Sequence, residues 1–135
     1  CAAMDDTPPL VGLCHVALNV PDVEESLAFY RDAVGLKIEW HPDPDNVYLT
    51  SGRDNLALHK SSAPRGSAGA LDHIGFALPD AESVDSWARH LEARGHTLEK
   101  QPKTHRDGAR SFYVRDPSGI LVQFIHHRPL VPAKA

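Results

Sequence analysis

Two histidines pose the chemical question. His15 stands in LCHVALNVPD and His73 in LDHIGFALPD, 58 residues further on, and the offset holds through both stretches. Similarity to itself at a fixed offset marks an internal duplication. In the first copy Val16, Leu18 and Val20 alternate with His15, Ala17 and Asn19; in the second, Ile74, Phe76 and Leu78 alternate with His73, Gly75 and Ala77. A period of two describes a strand with one apolar face and one small-residue face, and here the second face carries the imidazole. A neutral imidazole offers a lone pair near pH 7, and coordination of a divalent ion offsets the cost of burying it.

The stretches LALH (56–59) and VQFI (122–125) read as the last strands of the two copies, with Leu56, Leu58, Val122 and Phe124 toward the helices. Ala57 then matches Gln123, and both face the same way as His15 and His73. Duplication brings His15, Ala57, His73 and Gln123 together across a pseudo-twofold axis in a concave face. Two imidazoles there suit one divalent ion at bond lengths of about 2.0–2.1 Å, and Gln123 offers an amide oxygen as third donor. His59, one pleat beyond Ala57, is either a third ligand or acid/base group, or a rim histidine bonded to water. Tyr113 either donates its hydroxyl to a substrate oxygen or forms an aromatic wall.

The elements that must position these groups follow from caps and periodicity. Asp22 caps a helix carrying Val23, Leu27, Tyr30 and Val34, which Gly35 stops; Asp80 caps one carrying Val84, Trp87, Ala88 and Leu91, which Gly95 stops. Short strands are expected at roughly 36–41, 46–50 and 55–60, then 97–100, 110–115 and 120–126. The fold class is α+β: two βαβββ modules whose eight strands form a curved mixed sheet, a cup. The expected layout is an extension (1–10), a first module (11–60), a linker (61–70), a second module (71–127) and a tail (128–135), all one domain. QPKTHRDGA (101–109) reads as a solvated loop long enough for a lid, where Lys103, His105, Arg106 and the following Arg110 would suit an anionic substrate. His41, Asp43 and Asp45 fall in a polar turn without the spacing of a calcium loop; Asp116, Pro117 and Gly119 form another turn; His126 and His127 are expected at the surface.

With a net charge of −4 and its 14 Lys and Arg scattered, the chain lacks the footprint of a nucleic-acid binder. No apolar run approaches the roughly 20 residues that span a bilayer, and no signal-peptide pattern opens the chain, so no membrane role and a cytoplasmic location are expected. Cys1 and Cys14 give no disulfide framework. Open sheet edges supply a motive for homodimer formation.

Taken together, HVALNVPD, SLAFYRDAVGL, LDHIGFALPD and FYVRDPSGILVQF within paired βαβββ units resemble the vicinal oxygen chelate superfamily over residues 11–127. That group contains glyoxalase I, extradiol dioxygenases, fosfomycin-resistance enzymes, methylmalonyl-CoA epimerase and bleomycin-resistance proteins. The resemblance implies a divalent metal (Fe, Mn, Zn, Ni or Co) that chelates adjacent oxygens of a small substrate and stabilises an oxyanion as a Lewis acid. Its ligands would fall on His15, His73 and Gln123, and the last replaces the family's usual glutamate. Ala57 and Gln123 argue against classical glyoxalase I and extradiol dioxygenase chemistry. The implied function is a metal-dependent enzyme of lyase, isomerase, transferase or dioxygenase type, with a drug-sequestering binder of the bleomycin-resistance type as the alternative.

Overall fold

The computed structural model describes residues 8–9, 11–62, 64, 69 and 71–130, Leu130 by its backbone alone. Cys1, most of the expected linker and the end of the tail lie outside the described residues. Each half of the chain builds β, α and three further strands. The first has β1 (His15–Val20), α1 (Val23–Leu27, continued by a π-helical turn over Ala28–Ala33), β2 (Lys37–Asp43), β3 (Asn46–Thr50) and β4 (Asn55–Lys60). The second has β5 (Ile74–Ala77), α2 (Ala81–Ala93), β6 (Leu98–Thr104), β7 (Arg110–Arg115) and β8 (Leu121–His126), closed by a 3₁₀ turn at Arg128–Leu130. The eight strands divide into two four-stranded mixed sheets, ordered β1-β4-β3-β2 and β5-β8-β7-β6. No helix of the described residues is long and apolar enough to cross a membrane.

The caps act as their chemistry requires. Asp22 accepts from the Glu25 N–H at 3.1 Å and Asp80 from the Ser83 N–H at 2.8 Å. Gly35 and Gly95 follow the two helices with φ of 91° and 92°, a conformation that glycine adopts without strain. Within the first helix the ladder slips to π register, with Val34 N–H bonded to Phe29 O at 2.9 Å. Ser26, Phe29, Tyr30, Ala33 and Val34 are all buried, a stripe at i, i+3, i+4, i+7 and i+8 along this helix. Phe29 belongs to the core although the stripe of Val23, Leu27, Tyr30 and Val34 expected from sequence leaves it out.

One apolar cluster joins the halves. Phe29 meets the His96 ring edge-on at 5.2 Å, and His90 Nε2 lies 2.9 Å from Ala33 O. The Tyr30 hydroxyl donates to Asp116 Oδ2 at 2.6 Å across 86 positions of sequence. Asp116 thus does more than shape its turn: its Oδ1 accepts from Ser118 N, Ser118 Oγ and Ile120 N, and its Oδ2 holds the other module.

Three sequence expectations need correction. β2 runs to Asp43 and β6 to Thr104, so β6 takes up the first half of the expected loop at 101–109 and leaves a turn closed by Gly108 N–H to His105 O at 3.0 Å. Both are outer strands of their sheets and are almost wholly exposed, so no apolar alternation announces them; each also contains a proline, which an edge tolerates. His126 and His127 are half-buried rather than at the surface, with His126 Nδ1 3.3 Å from Leu78 O. Arg110 is not free for an anion: it forks onto Asp85 of α2 at 2.7 and 3.0 Å and also reaches Thr104.

Candidate functional site

Strand register fixes which residues share the faces opposite the helices. On the first sheet β1 and β4 pair His15 with Asn55, Ala17 with Ala57 and Asn19 with His59; β3 adds Tyr48 opposite Ala57 and Asn46 opposite His59. On the second, Gly75 pairs with Gln123, and Tyr113 of β7 lies opposite Gln123. Ala17–Ala57 and Gly75–Gln123 are therefore the same pair in two copies. His73 sits one residue before the ladder of β5 begins. Val16, Leu18, Val122 and Phe124 turn the other way, into or against the shared core.

The second open face gathers three of the candidate residues. Gln123 donates from Nε2 to the Tyr113 hydroxyl at 2.9 Å, which leaves Oε1 as the outward acceptor. That oxygen would lie 3.2 Å from a Cβ placed at Gly75, so a larger residue there would crowd it. The rings of His73 and Tyr113 meet edge to face with centroids 5.4 Å apart, and Lys100 Nζ lies 5.8 Å from the Tyr113 centroid. His73 Nδ1 lies 2.6 Å from Asp72 Oδ2. A carboxylate only accepts here, so Nδ1 carries the proton and Nε2 keeps the lone pair.

The first open face holds His15 and His59. His15 Nδ1 is 2.7 Å from Asn55 Oδ1, and Asn55 Nδ2 donates to Glu39 Oε2 at 2.9 Å. His59 Nδ1 is 2.6 Å from Asn46 Oδ1, and its ring meets that of Tyr48 edge to face at 5.7 Å. Ala57 has no exposed surface and offers no ligand atom. Beside it Tyr48 stacks on Trp40 with centroids 5.2 Å apart, and Trp40 is 59% exposed. Asn55, Asn46, Glu39, Asp72 and the Trp40–Tyr48 pair escaped the sequence reading. Asn55 had a signal: it shares a pleat face with Ala57 two residues away.

His15 and His73 thus belong to two different sheets, and among the described residues no hydrogen bond or ring contact joins the two faces. Nor do three His, Cys, Asp or Glu side chains of the described residues gather as an ion-binding group. What each face offers is a half-set: His15 with His59 on one, His73 with Gln123 Oε1 and Tyr113 on the other. Cys14, just before β1, is an exposed free thiol.

The whole arrangement has known counterparts. The family model described as Glyoxalase/Bleomycin resistance protein/Dioxygenase superfamily matches residues 12–124. An uncharacterized protein of Pseudomonas aeruginosa is 31% identical, over 89% of this chain and 91% of that protein. The manganese-dependent 2,3-dihydroxybiphenyl 1,2-dioxygenase of Geobacillus genomosp. 3 is 30% identical over 87% of this chain, which spans only 38% of that enzyme. Among solved structures, the lactoylglutathione lyase of Agrobacterium tumefaciens superposes with a TM-score of 0.76 at 26% identity, over 90% of this chain and 98% of that one.

Proposed function

Because the chain belongs to the glyoxalase/bleomycin resistance protein/dioxygenase superfamily, we propose that it is a divalent-metal-dependent enzyme acting on a small oxygen-rich molecule. His15 and His73 would hold the ion with Gln123 Oε1 as a neutral third donor. The observation that carries this reading is an arrangement shared by the two equivalent histidines: each sets Nδ1 within hydrogen-bond distance of an acceptor oxygen, which assigns the proton to Nδ1 and the lone pair to Nε2. The donor set is chemically suitable, since two imidazoles and an amide oxygen fit a borderline cation such as Zn²⁺, Mn²⁺ or Fe²⁺, although without a carboxylate they bind it less tightly. The bound ion would act as a Lewis acid toward substrate oxygens.

The chain's own groups divide the remaining work. The Tyr113 hydroxyl, already bonded to Gln123, orients that amide and can donate to a substrate oxygen. Lys100, over the Tyr113 ring, adds positive charge where an oxyanion would be stabilised. His59 Nε2 can take a proton. The first half-set lies on a face that leaves Trp40 exposed, and a homodimer that sets one chain's first face opposite its partner's second would complete the site and cover that apolar surface.

A second reading, a binder that sequesters a flat ligand without turnover, draws on one observation, the exposed Trp40 stacked on Tyr48. Metal analysis of protein purified without chelator tests the first reading. It expects retained divalent ion in the wild type and loss of that ion in His73→Ala; equal metal content in both would refute the assignment.

A further inference from the structure

β2 is exposed along its length and carries two register shifts, one between Ile38 and Trp40 and one between Trp40 and Asp43. Each is a single extra residue against β3. The first lets Trp40 pair with Tyr48 although Ile38 pairs with the core residue Leu49; the second lets Asp43 pair with Asn46, where strict alternation from Trp40 would turn it to the other side. Bulges re-aim side chains, and the two acidic residues at these bulges finish in matching arrangements. Glu39 Oε2 accepts from Asn55 Nδ2 at 2.9 Å, while Asn55 Oδ1 faces His15 Nδ1 at 2.7 Å. Asp43 accepts from Asn46 Nδ2 at 2.9 and 3.2 Å, while Asn46 Oδ1 faces His59 Nδ1 at 2.6 Å.

The logic of donors and acceptors closes each chain. A carboxylate can only accept, so it draws the amide NH₂ toward itself. The amide oxygen must then face the histidine, and an oxygen acceptor requires the proton on Nδ1. Free histidine in water prefers the opposite tautomer, with the proton on Nε2, so the arrangement works against the ring's own bias. We propose that Glu39 and Asp43 are positioning residues which, acting through Asn55 and Asn46, hold His15 and His59 as Nδ1–H tautomers with Nε2 free. What the free Nε2 of His15 serves rests on the metal reading above; the tautomers stand without it. The second module needs no such relay, because Asp72 meets His73 directly.

The test is tautomer assignment by long-range ¹⁵N–¹H correlation on metal-free protein above neutral pH, which reads each ring nitrogen separately. Wild type is expected to show Nδ1–H patterns at His15 and His59. Glu39→Ala removes the acceptor that holds the Asn55 amide, so the amide is released to turn and His15 shifts toward Nε2–H while His59 stays unchanged. Asp43→Ala is expected to do the reverse. Dispersed spectra confirm that both variants fold. Nε2–H patterns in the wild type, or a His15 signal indifferent to Glu39→Ala, would overturn the proposal. Zinc titration separates it from the metal reading: Glu39→Ala should loosen binding by roughly tenfold, as loss of an outer-shell partner does. A moved tautomer with unchanged zinc affinity upholds the relay and removes His15 from the ligand set.

Discussion

The two half-sets belong to different modules, so their mutual orientation depends on what locks the modules together, and the Tyr30–Asp116 bond is the most specific of those locks. Tyr30 has no exposed surface and Asp116 is 4% exposed. Asp116 Oδ1 takes three donors from its own turn, whereas Oδ2 has Tyr30, at 2.6 Å. Tyr30→Phe keeps the ring against Phe29 at 5.0 Å and Phe76 at 6.5 Å and removes only the hydroxyl. A hydrogen bond to a buried charged acceptor contributes about 1.5–3 kcal/mol, and the carboxylate oxygen left behind bears that loss. For a domain of this size about 2 kcal/mol corresponds to a Tm lower by roughly 6–10 °C. The assay is thermal unfolding by circular dichroism at neutral pH, repeated in an Asp116→Asn background, where removing the hydroxyl should cost markedly less. The pH dependence has a definite sign. Burial first, then the Asp116 charge and hydrogen bond, raise the Tyr30 pKa well above its ordinary value. The bond's contribution is therefore complete below about pH 10, where tyrosine ionises in the unfolded chain, and is lost as pH rises beyond it. Equal Tm for wild type and Tyr30→Phe at pH 7, or the same cost in both backgrounds, would refute the idea that this bond latches the modules.

Two further outcomes follow from the site and the seam. Gln123→Glu should tighten divalent-metal binding, measured by zinc titration, because an anionic oxygen replaces a dipolar one while Tyr113 can turn its hydroxyl to donate; unchanged or weaker binding would mean that Gln123 does not face the ion. At the seam, burial first, then the charges of Arg94 and His90, lower the His96 pKa. Its contribution is present above about pH 6.5, the unfolded value, and fades as pH falls below it, so His96→Gln should flatten the acid limb of a plot of Tm against pH; a limb as steep as that of the wild type would count against it.

The parts of this molecule that were legible in sequence are those that duplication repeats. The offset between His15 and His73 exposed both modules, and matching LALH to VQFI identified the Ala57–Gln123 equivalence that the register of β4 and β8 bears out. Asp22, Asp80, Gly35 and Gly95 recur because both helices start and stop by the same physics. The outer strands β2 and β6 repeat too, even to their paired bulges, yet this repetition is invisible in the residues: Ile38, Trp40 and Asp43 correspond to Leu98, Lys100 and Lys103, which share no chemical type beyond the first pair. An edge strand exposed on both sides constrains its backbone through hydrogen bonds to one neighbour and leaves side-chain identity free.

That freedom is where the two halves diverge chemically. The same bulged frame presents Glu39 and Asp43 toward amides in one module and Lys100 toward Tyr113 in the other. The first strand of each module, β1 or β5, carries or directly follows the equivalent imidazole, while β2 and β6 at the opposite edges set what surrounds each face: carboxylate-backed relays on one, a cation over an aromatic ring on the other. A site assembled from both faces would therefore be asymmetric despite its duplicated origin, with proton-accepting groups concentrated on the first half and anion-stabilising groups on the second. Such a division suits a reaction that takes a proton from one part of a substrate while charge builds on another.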